Sequence, residues 1–191
     1  KYRESSLKII FDNIADVVYL LDVEADRYRF VAVNASFLAA TGLTEDTIPL
    51  FVDRDVAIVP TLINIATFPD IAAPATDKFP LYAKHMLALH ERRYATIAAA
   101  HEAGIRIYSG TDAGGSLAHG RVADEVLELA TAGLSPVEAL RASAWDARSW
   151  LGRTGLEEDA QADLVVYAAD PRQDLAALKH PTAVVLRGVV R

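Results

Sequence analysis

The chain has 191 residues, of which 52% are hydrophobic and 24% charged, as in folded globular proteins and unlike disordered ones. An intact eight-stranded barrel of the TIM type typically needs about 250 residues, so the chain is too short for one. The net charge of −7 argues against a nucleic-acid partner, and the absence of cysteine excludes disulfides, thiolate metal sites and cysteine nucleophiles.

The sequence shows no membrane span or secretion signal. The longest charge-free apolar stretch, residues 56–69, is shorter than the ~20 residues that a spanning helix needs, and Pro60 interrupts it. The first residues contain no apolar core of a signal peptide. We therefore expect a cytoplasmic protein with no membrane partner.

The first part of the chain predicts a small α+β segment. Apolar residues at helical spacing predict a helix over residues 5–14. Two β-rich runs, residues 16–23 and 27–33, are separated by the short polar stretch Glu24-Ala25-Asp26 and predict a hairpin. A short helix is predicted over residues 35–40, with Asn34 as its cap.

Near residues 49–53 the pattern changes, and we place a domain boundary there. Residues 56–60 predict a buried strand, and a loop punctuated by proline is expected over 64–80. The predicted elements of the remainder are, in chain order, a helix at 78–103, a strand at 105–108, helices at 121–131 and 135–151, and strands at 162–167 and 183–186.

The first segment resembles the first half of a PAS sensor domain. The matching stretches are residues 13–22 (NIADVVYLLD), 29–37 (RFVAVNASF) and 41–43 (TGL). A complete PAS domain needs a connecting helix and three further strands, which the sequence after Pro49 does not supply. PAS domains hold haem or flavin in some cases, but this segment has no His or Cys for either group.

The longer part resembles the C-terminal end of a metal-dependent amidohydrolase of the imidazolonepropionase and dipeptidase-like branch. The stretches that carry the resemblance, in the family's order, are residues 56–62 (VAIVPTL), 103–115 (AGIRIYSGTDAGG), 119–120 (HG), 132–140 (AGLSPVEAL), 151–152 (LG), 162–167 (ADLVVY), 170–171 (DP) and 183–188 (AVVLRG). The resemblance implies an α/β fold: the last two strand–helix units of a TIM-type barrel and a small β-rich C-terminal element. The expected division is a partial PAS-like segment at 1–49 and an amidohydrolase-like portion at 50–191.

The resemblance also implies the site residues. Asp112 matches the family's aspartate on the last barrel strand, which binds the metal, takes a proton from the activated water and returns it to the leaving amine. His119, Thr111 and Gly114 match the loop that contacts substrate. From the residues alone, Asp112 could instead cap a turn before glycine, Thr111 and Gly114 could shape the loop, and His119 could begin a helix.

The resemblance implies zinc or another divalent metal, but most of the family's ligands have no counterpart in this chain. The missing ligands are a His-x-His pair, a carboxylated Lys or a Glu, and two further His. None of the five histidines has another two residues away. His90 and His101 share a helix face but lie roughly 16 Å apart along it, too far to bind one ion. We therefore expect no stably bound metal and no activity from this chain alone.

Three other pairs of residues give structural predictions. Glu125 and Glu128 are interpreted as a solvated helix face. Trp145 and Trp150 are expected to pack in the core rather than to stack on a ligand. Gly114 and Gly115 are expected to adopt conformations closed to other residues.

The implied activity is hydrolysis of a C–N bond in a cyclic amide or a dipeptide-like small molecule. Two alternatives stay open: a non-catalytic PAS-type sensor or interaction module, and a recombined fragment joined near residue 50. Incomplete parts of both families would leave open sheet edges, so the sequence also predicts a homo-oligomer.

Overall fold

The computed structural model describes residues 19–24, 27–34, 48–115, 117–153 and 155–191. The helices predicted at 5–14 and 35–40 lie outside these residues. In the described part of the chain, no helix is both long and apolar enough to cross a membrane.

The described elements include both helices and strands, which confirms the mixed α/β class. In chain order they are β1 (Tyr19–Glu24), β2 (Arg27–Asn34), α1 (Ile48–Asp53), β3 (Ala57–Val59), α2 (Leu62–Ile65), α3 (Phe68–Ala72), α4 (Pro80–Glu102), α5 (Val122–Thr131), α6 (Pro136–Ser143), α7 (Trp145–Trp150), β4 (Leu164–Tyr167), β5 (Pro181–Leu186) and β6 (Val189–Val190). Short 3-10 helices lie at Ala73–Ala75 and Leu175–Lys179.

One sheet has the strand order β1-β2-β3, and the other has the order β4-β5-β6. Strands β1 and β2 are antiparallel, which confirms the predicted hairpin. Strand β2 also pairs in parallel with β3, placing Ala32 opposite Ala57. The hairpin therefore shares a sheet with a strand beyond the boundary predicted near residues 49–53. The division into 1–49 and 50–191 stays a prediction.

The strand predicted at 105–108 forms one parallel bridge rather than a full strand. The Ile58 amide donates to the Arg106 carbonyl at 2.8 Å, and the Tyr108 amide donates to the Ile58 carbonyl at 2.9 Å. The next amide, that of Ser109, donates instead to Ala142 of α6 at 3.1 Å. Pairing with β3 ends there because the chain has turned toward that helix.

The prediction of a loop over residues 64–80 is wrong, because α2, α3 and a 3-10 helix occupy most of this stretch. Pro69 and Pro74 lie in the first turns of α3 and of the 3-10 helix. Amides in a first turn have no partner within the helix, so proline is tolerated there. These prolines mark helix starts rather than a loop.

The single helix predicted at 135–151 is divided into α6 and α7 at Ala144, where φ is −133° and ψ is −87°. Its predicted capping box is confirmed: the Glu138 amide donates to Ser135 Oγ, and the Ser135 amide donates to the Glu138 carboxylate. Helix α6 packs in the main core, whereas α7 packs against the opposite face of β3. A straight helix could not reach both faces.

The core follows the alternation of β3. Ile58 faces the main cluster, where Ile97 of α4 and Leu129 of α5 are almost fully buried. Burying one such side chain stabilises the fold by about 1.5–3 kcal/mol. Ala57 faces the other way, toward Tyr108.

The two tryptophans differ in environment. Trp150 stacks on Tyr108 with ring centroids 4.7 Å apart, which confirms its packing role. Trp145 is 50% exposed, so its predicted burial is wrong. It begins α7, immediately after the break at Ala144.

Gly110 should be the least replaceable glycine after β3. A Cβ at Gly110 would lie 2.4 Å from Val59 Cγ1, and the χ1 angle of valine is restricted. We expect Gly110→Ala to lower the free energy of unfolding by about 1–3 kcal/mol. Urea denaturation measures this, with Gly115→Ala as the control because a Cβ there has no neighbour within 4 Å. Equal stabilities for the two variants would contradict the expected clash.

Candidate functional site

Two chain segments leave the parallel strands at the same edge of the sheet. After β3 the chain passes through Thr61 into α2, and after Tyr108 it passes through Gly110 to Asp112. The side chain of Asn64, in α2, donates from Nδ2 to Asp112 Oδ2 at 2.6 Å. In sheets with parallel strands, ligands commonly bind beyond the carboxyl ends. This edge is the candidate site.

Both segments turn at a non-glycine residue in the left-handed conformation. The φ angle of Thr61 is +50°, and that of Asp112 is +49°. Aspartate tolerates this conformation, whereas a β-branched residue adopts it at a cost. The half-buried Asp112 carboxylate is oriented by the Asn64 hydrogen bond.

The loop around Asp112 contains the three residues predicted to contact substrate. The Thr111 hydroxyl accepts a hydrogen bond from the Ala113 amide at 3.3 Å. The Gly114 amide donates to the Leu117 carbonyl at 3.0 Å. A Cβ at Gly114 would lie 3.7 Å from Cε1 and Nε2 of His119, so the exposed imidazole lies beside this turn. Their roles, like that of Asp112, stay predictions.

The prediction for the two glycines is confirmed at one position and wrong at the other. Gly114 has φ of +128°, a conformation that residues with a side chain rarely adopt. Gly115 is not in the left-handed region, and a Cβ there would have open space around it. Only the first glycine is required by the turn.

The interpretation of Glu125 as part of a solvated face is wrong. Its side chain is 0% exposed. The carboxylate accepts hydrogen bonds from the amides of Leu62 and Ile63, each at 2.9 Å. Burial raises the pKa of Glu125 from its ordinary value of 4.5 to about 7; the two amides oppose this change, and the nearby charge of Glu128 adds to it.

The second glutamate of the predicted face is half-buried. The hydroxyl of Tyr94, in α4, donates to Glu128 Oε2 at 2.5 Å. Burial, followed by this hydrogen bond, raises the pKa of the Tyr94 phenol. The two glutamates of helix α5 therefore contact different neighbours, Glu125 contacting α2 and Glu128 contacting α4.

Helical periodicity could have revealed the buried glutamate. Glu125 precedes Leu129 by four residues, so both lie on one face of α5, and Leu129 is fully buried. An acidic residue on the apolar face of a helix indicates a specific buried role. Asn64 lies in the stretch that the sequence predicts to be a loop, and no periodicity marks it.

The described residues do not fit a complete metal site. Among them, no group of three or more His, Cys, Asp or Glu side chains is placed to hold an ion. His101 lies 3.6 Å from Glu138 of α6. Burial, together with the charge of Arg93, lowers the pKa of His90. Asp112 is thus the one proposed ligand that these residues bring to the candidate site.

An open depression of about 250 Å³ lies at the other end of segment 105–108. Its floor includes Ile105 and Ile107. The charged side chains at its rim bind one another: Arg141 donates to both carboxylate oxygens of Asp146. Because these charges are paired, we assign the depression no binding role.

Comparison with known proteins identifies relatives over most of the chain. The model of the amidohydrolase family matches residues 35–191. An uncharacterised protein of Mycobacterium tuberculosis is 54% identical over 148 residues, which are 78% of this chain and 40% of the relative. A protein of Mycobacterium bovis matches with the same identity and coverage. The chain spans about 40% of the length of these curated relatives.

Solved structures show the same fold. A Xaa-Pro dipeptidase with bound methionine in its active site superposes with a TM-score of 0.70 at 19% identity, over 84% of this chain and 39% of that one. A candidate prolidase from Bifidobacterium longum superposes with a TM-score of 0.60 at 33% identity, over 71% of this chain and 35% of that one. From the family match over residues 35–191, we conclude that the chain belongs to the amidohydrolase family.

Proposed function

We propose that this chain is the part of an amidohydrolase that holds the last two strand–helix units of a TIM-type barrel and a small β-rich C-terminal element. The complete enzyme hydrolyses a C–N bond in a cyclic amide or a dipeptide-like small molecule. The observation that carries the proposal is the Asp112 carboxylate, held by Asn64 at the carboxyl edge of parallel strands. The similarity to a Xaa-Pro dipeptidase and to a candidate prolidase supports this substrate class.

In this proposal Asp112 is the proton carrier. Its carboxylate takes a proton from the water that attacks the carbonyl carbon, and it returns a proton to the nitrogen as the C–N bond breaks. Asn64 keeps the carboxylate in one orientation between the two transfers. Thr111, Gly114 and His119 line the substrate side of the loop.

The family is generally metal-dependent, and zinc or another divalent ion is the proposed cofactor of the complete enzyme. In this proposal Asp112 would provide one ligand. A catalytic zinc site takes about three protein ligands, so the others would come from outside the described residues. We infer that the 191-residue chain by itself holds no stoichiometric metal and hydrolyses no amide at an enzyme-like rate.

Two measurements test this. The first is elemental analysis of the dialysed chain, followed by a screen of Xaa-Pro dipeptides and cyclic amides with added zinc, manganese or cobalt; we expect less than one metal per chain and no turnover. The second uses a chimera in which residues of this chain replace the matched 148-residue stretch of the Mycobacterium tuberculosis relative. We expect the chimera to hydrolyse at least one of these substrates.

Two results would count against the proposal. One metal per chain, lost together with turnover in Asp112→Asn, would show a complete site in the isolated chain. A folded, metal-loaded chimera without activity on any of the substrates would contradict the substrate class.

We also propose that the isolated chain self-associates through its second sheet. Strand β4 is an edge strand, and this sheet exposes apolar side chains, namely Val165, Val166, Leu186, Val189 and Val190. Light scattering is expected to give a molar mass above the 20.7 kDa of one chain. Val165→Lys should reduce the mass, and Leu81→Lys, a change at an exposed position on α4, should not. A monomer at all concentrations would contradict this.

A further inference from the structure

The environment of Glu125 is unusual for a carboxylate. It is fully buried in α5, and two backbone amides are its hydrogen-bond donors. The cations beside the neighbouring residue Asp124, Arg121 and Lys179, both pair with that aspartate. Within the described residues, no ion pair includes Glu125. Burying a carboxylate is costly unless hydrogen bonds or an opposite charge compensate for the lost hydration, and here the compensation comes from the two amides.

Glu125 replaces a cap that α2 lacks. Helix α2 begins after Thr61, whose side chain makes no capping hydrogen bond. The first amides of any helix have no partner within the helix. Glu125 accepts from two of them, those of Leu62 and Ile63, from a position more than sixty residues later in the chain. The position and direction of this four-residue helix therefore depend on α5.

The same short helix holds the partner of Asp112. Asn64 directly follows Ile63 and is 7% exposed. Its amide donates to Asp112 at 2.6 Å. One turn of helix thus connects two carboxylates: Glu125 binds its backbone, and Asp112 accepts from its side chain. A shift of the first turn would move Asn64 relative to Asp112.

We propose that Glu125 is a positioning residue that fixes the first turn of α2, so that Asn64 holds the Asp112 carboxylate in a single orientation. The inference rests on the proposed function, in which Asp112 exchanges protons with water and the leaving nitrogen. Glu125 itself touches neither substrate nor Asp112 in this scheme.

The protonation state of Glu125 gives a way to observe this coupling. Its pKa is raised to about 7 by burial, so its charge changes near neutral pH. An ionised carboxylate accepts hydrogen bonds more strongly than a protonated one. The other charged or titratable groups around it are Glu128 on the same helix, Tyr94 of α4, which is bonded to Glu128, and Arg121 and Lys179, which are paired with Asp124.

The experiment follows the side-chain amide of Asn64 by ¹⁵N NMR in the full 191-residue chain. Asp112→Ala gives the position of this resonance when its acceptor is gone. Glu125→Gln keeps the size of the side chain but places an NH₂ group against one of the two α2 amides. We expect Glu125→Gln to move the Asn64 resonance at least half of the way to its position in Asp112→Ala.

Glu128→Gln is the matched control, since it makes the same change one turn away on the same helix. It should leave the Asn64 resonance in place. If Glu125→Gln does not fold, a pH titration of the unaltered chain decides. The Asn64 resonance and those of the Leu62 and Ile63 amides should then shift together as Glu125 ionises, with a midpoint near pH 7. Movement of those two amides with a fixed Asn64 resonance, in the variant or in the titration, would overturn the proposal and leave Glu125 as a helix cap.

This measurement does not depend on hydrolysis, so its failure is distinct from failure of the proposed function. In an active chimera the same variant provides a second test. We expect Glu125→Gln to lower kcat by about 10- to 100-fold with KM unchanged, because a misplaced proton carrier affects the chemical step more than substrate binding. An equal loss in Glu128→Gln would count against a specific positioning role.

Discussion

In the active chimera, Asp112→Asn is expected to lower kcat/KM by a factor of about 10² to 10⁴, the usual contribution of a positioned acid–base group. Asparagine has nearly the same shape, and its carbonyl oxygen can still accept the hydrogen bond from Asn64. It cannot take a proton from water at neutral pH. The loop should therefore keep its geometry and lose its proton carrier.

Steady-state kinetics on the best substrate from the screen measures this effect. The control is Asp55→Asn, the same change at an exposed carboxylate that pairs with Arg106 at the start of the strands. Its kcat/KM should stay within about twofold of the parent chimera, because surface ion pairs contribute little. If Asp112→Asn kept more than a third of the activity, Asp112 would be a turn residue, the alternative that the sequence leaves open.

The free energy of unfolding is expected to fall by about 3 kcal/mol between pH 4.5 and pH 7 because of Glu125 alone. The pKa of this carboxyl is 4.5 when solvated and about 7 in the folded chain, where burial disfavours the charge. Between these values the folded state binds the proton and the unfolded state does not. The stabilisation that this bound proton gives to the folded state is therefore complete below pH 4.5 and is lost as pH rises through 7.

Urea denaturation at several pH values tests this. The quantity to compare between variants is the slope of the free energy of unfolding against pH. The glutamine side chain of Glu125→Gln cannot titrate, so the stability of this variant should fall less between pH 4.5 and 7 than that of the unaltered chain. Glu128→Gln serves as the control and should keep most of the slope. The pKa of Asp124 is lowered by its hydrogen bonds with Lys179 and Arg121, so its effect on stability belongs to more acidic solutions. Equal slopes in the unaltered chain and Glu125→Gln would contradict the raised pKa.

Elements with a complete local pattern were predictable from the sequence. The long helix α4 has good helix formers and a glycine directly after its C-cap residue, and the capping box at Ser135 has both of its required side chains. The hairpin of β1 and β2 combines two β-rich runs with a short polar connection. In these cases the interactions that define the element lie within a few residues of one another.

The errors arise where distant residues decide the structure. The break at Ala144 depends on helices that pack on opposite faces of β3, and sequence spacing does not encode that geometry. Helix α2 is too short to be stable alone, and its cap is supplied by Glu125 from another helix. The resemblance to a family predicts Asp112 as a site residue, but its partner Asn64 depends on the tertiary contact between the two strand ends, which the sequence pattern does not show.

Thr61 combines two local costs at the start of α2. Its left-handed φ angle is unfavourable for a β-branched side chain, and its buried hydroxyl has no hydrogen-bond partner within the described residues. Costs of these kinds are each roughly 1–3 kcal/mol. In a directed-evolution experiment that selects only for heat tolerance, position 61 would therefore be an early site of substitution, with glycine or asparagine favoured. A population evolved in that way would gain stability while the geometry around Asn64 was free to drift.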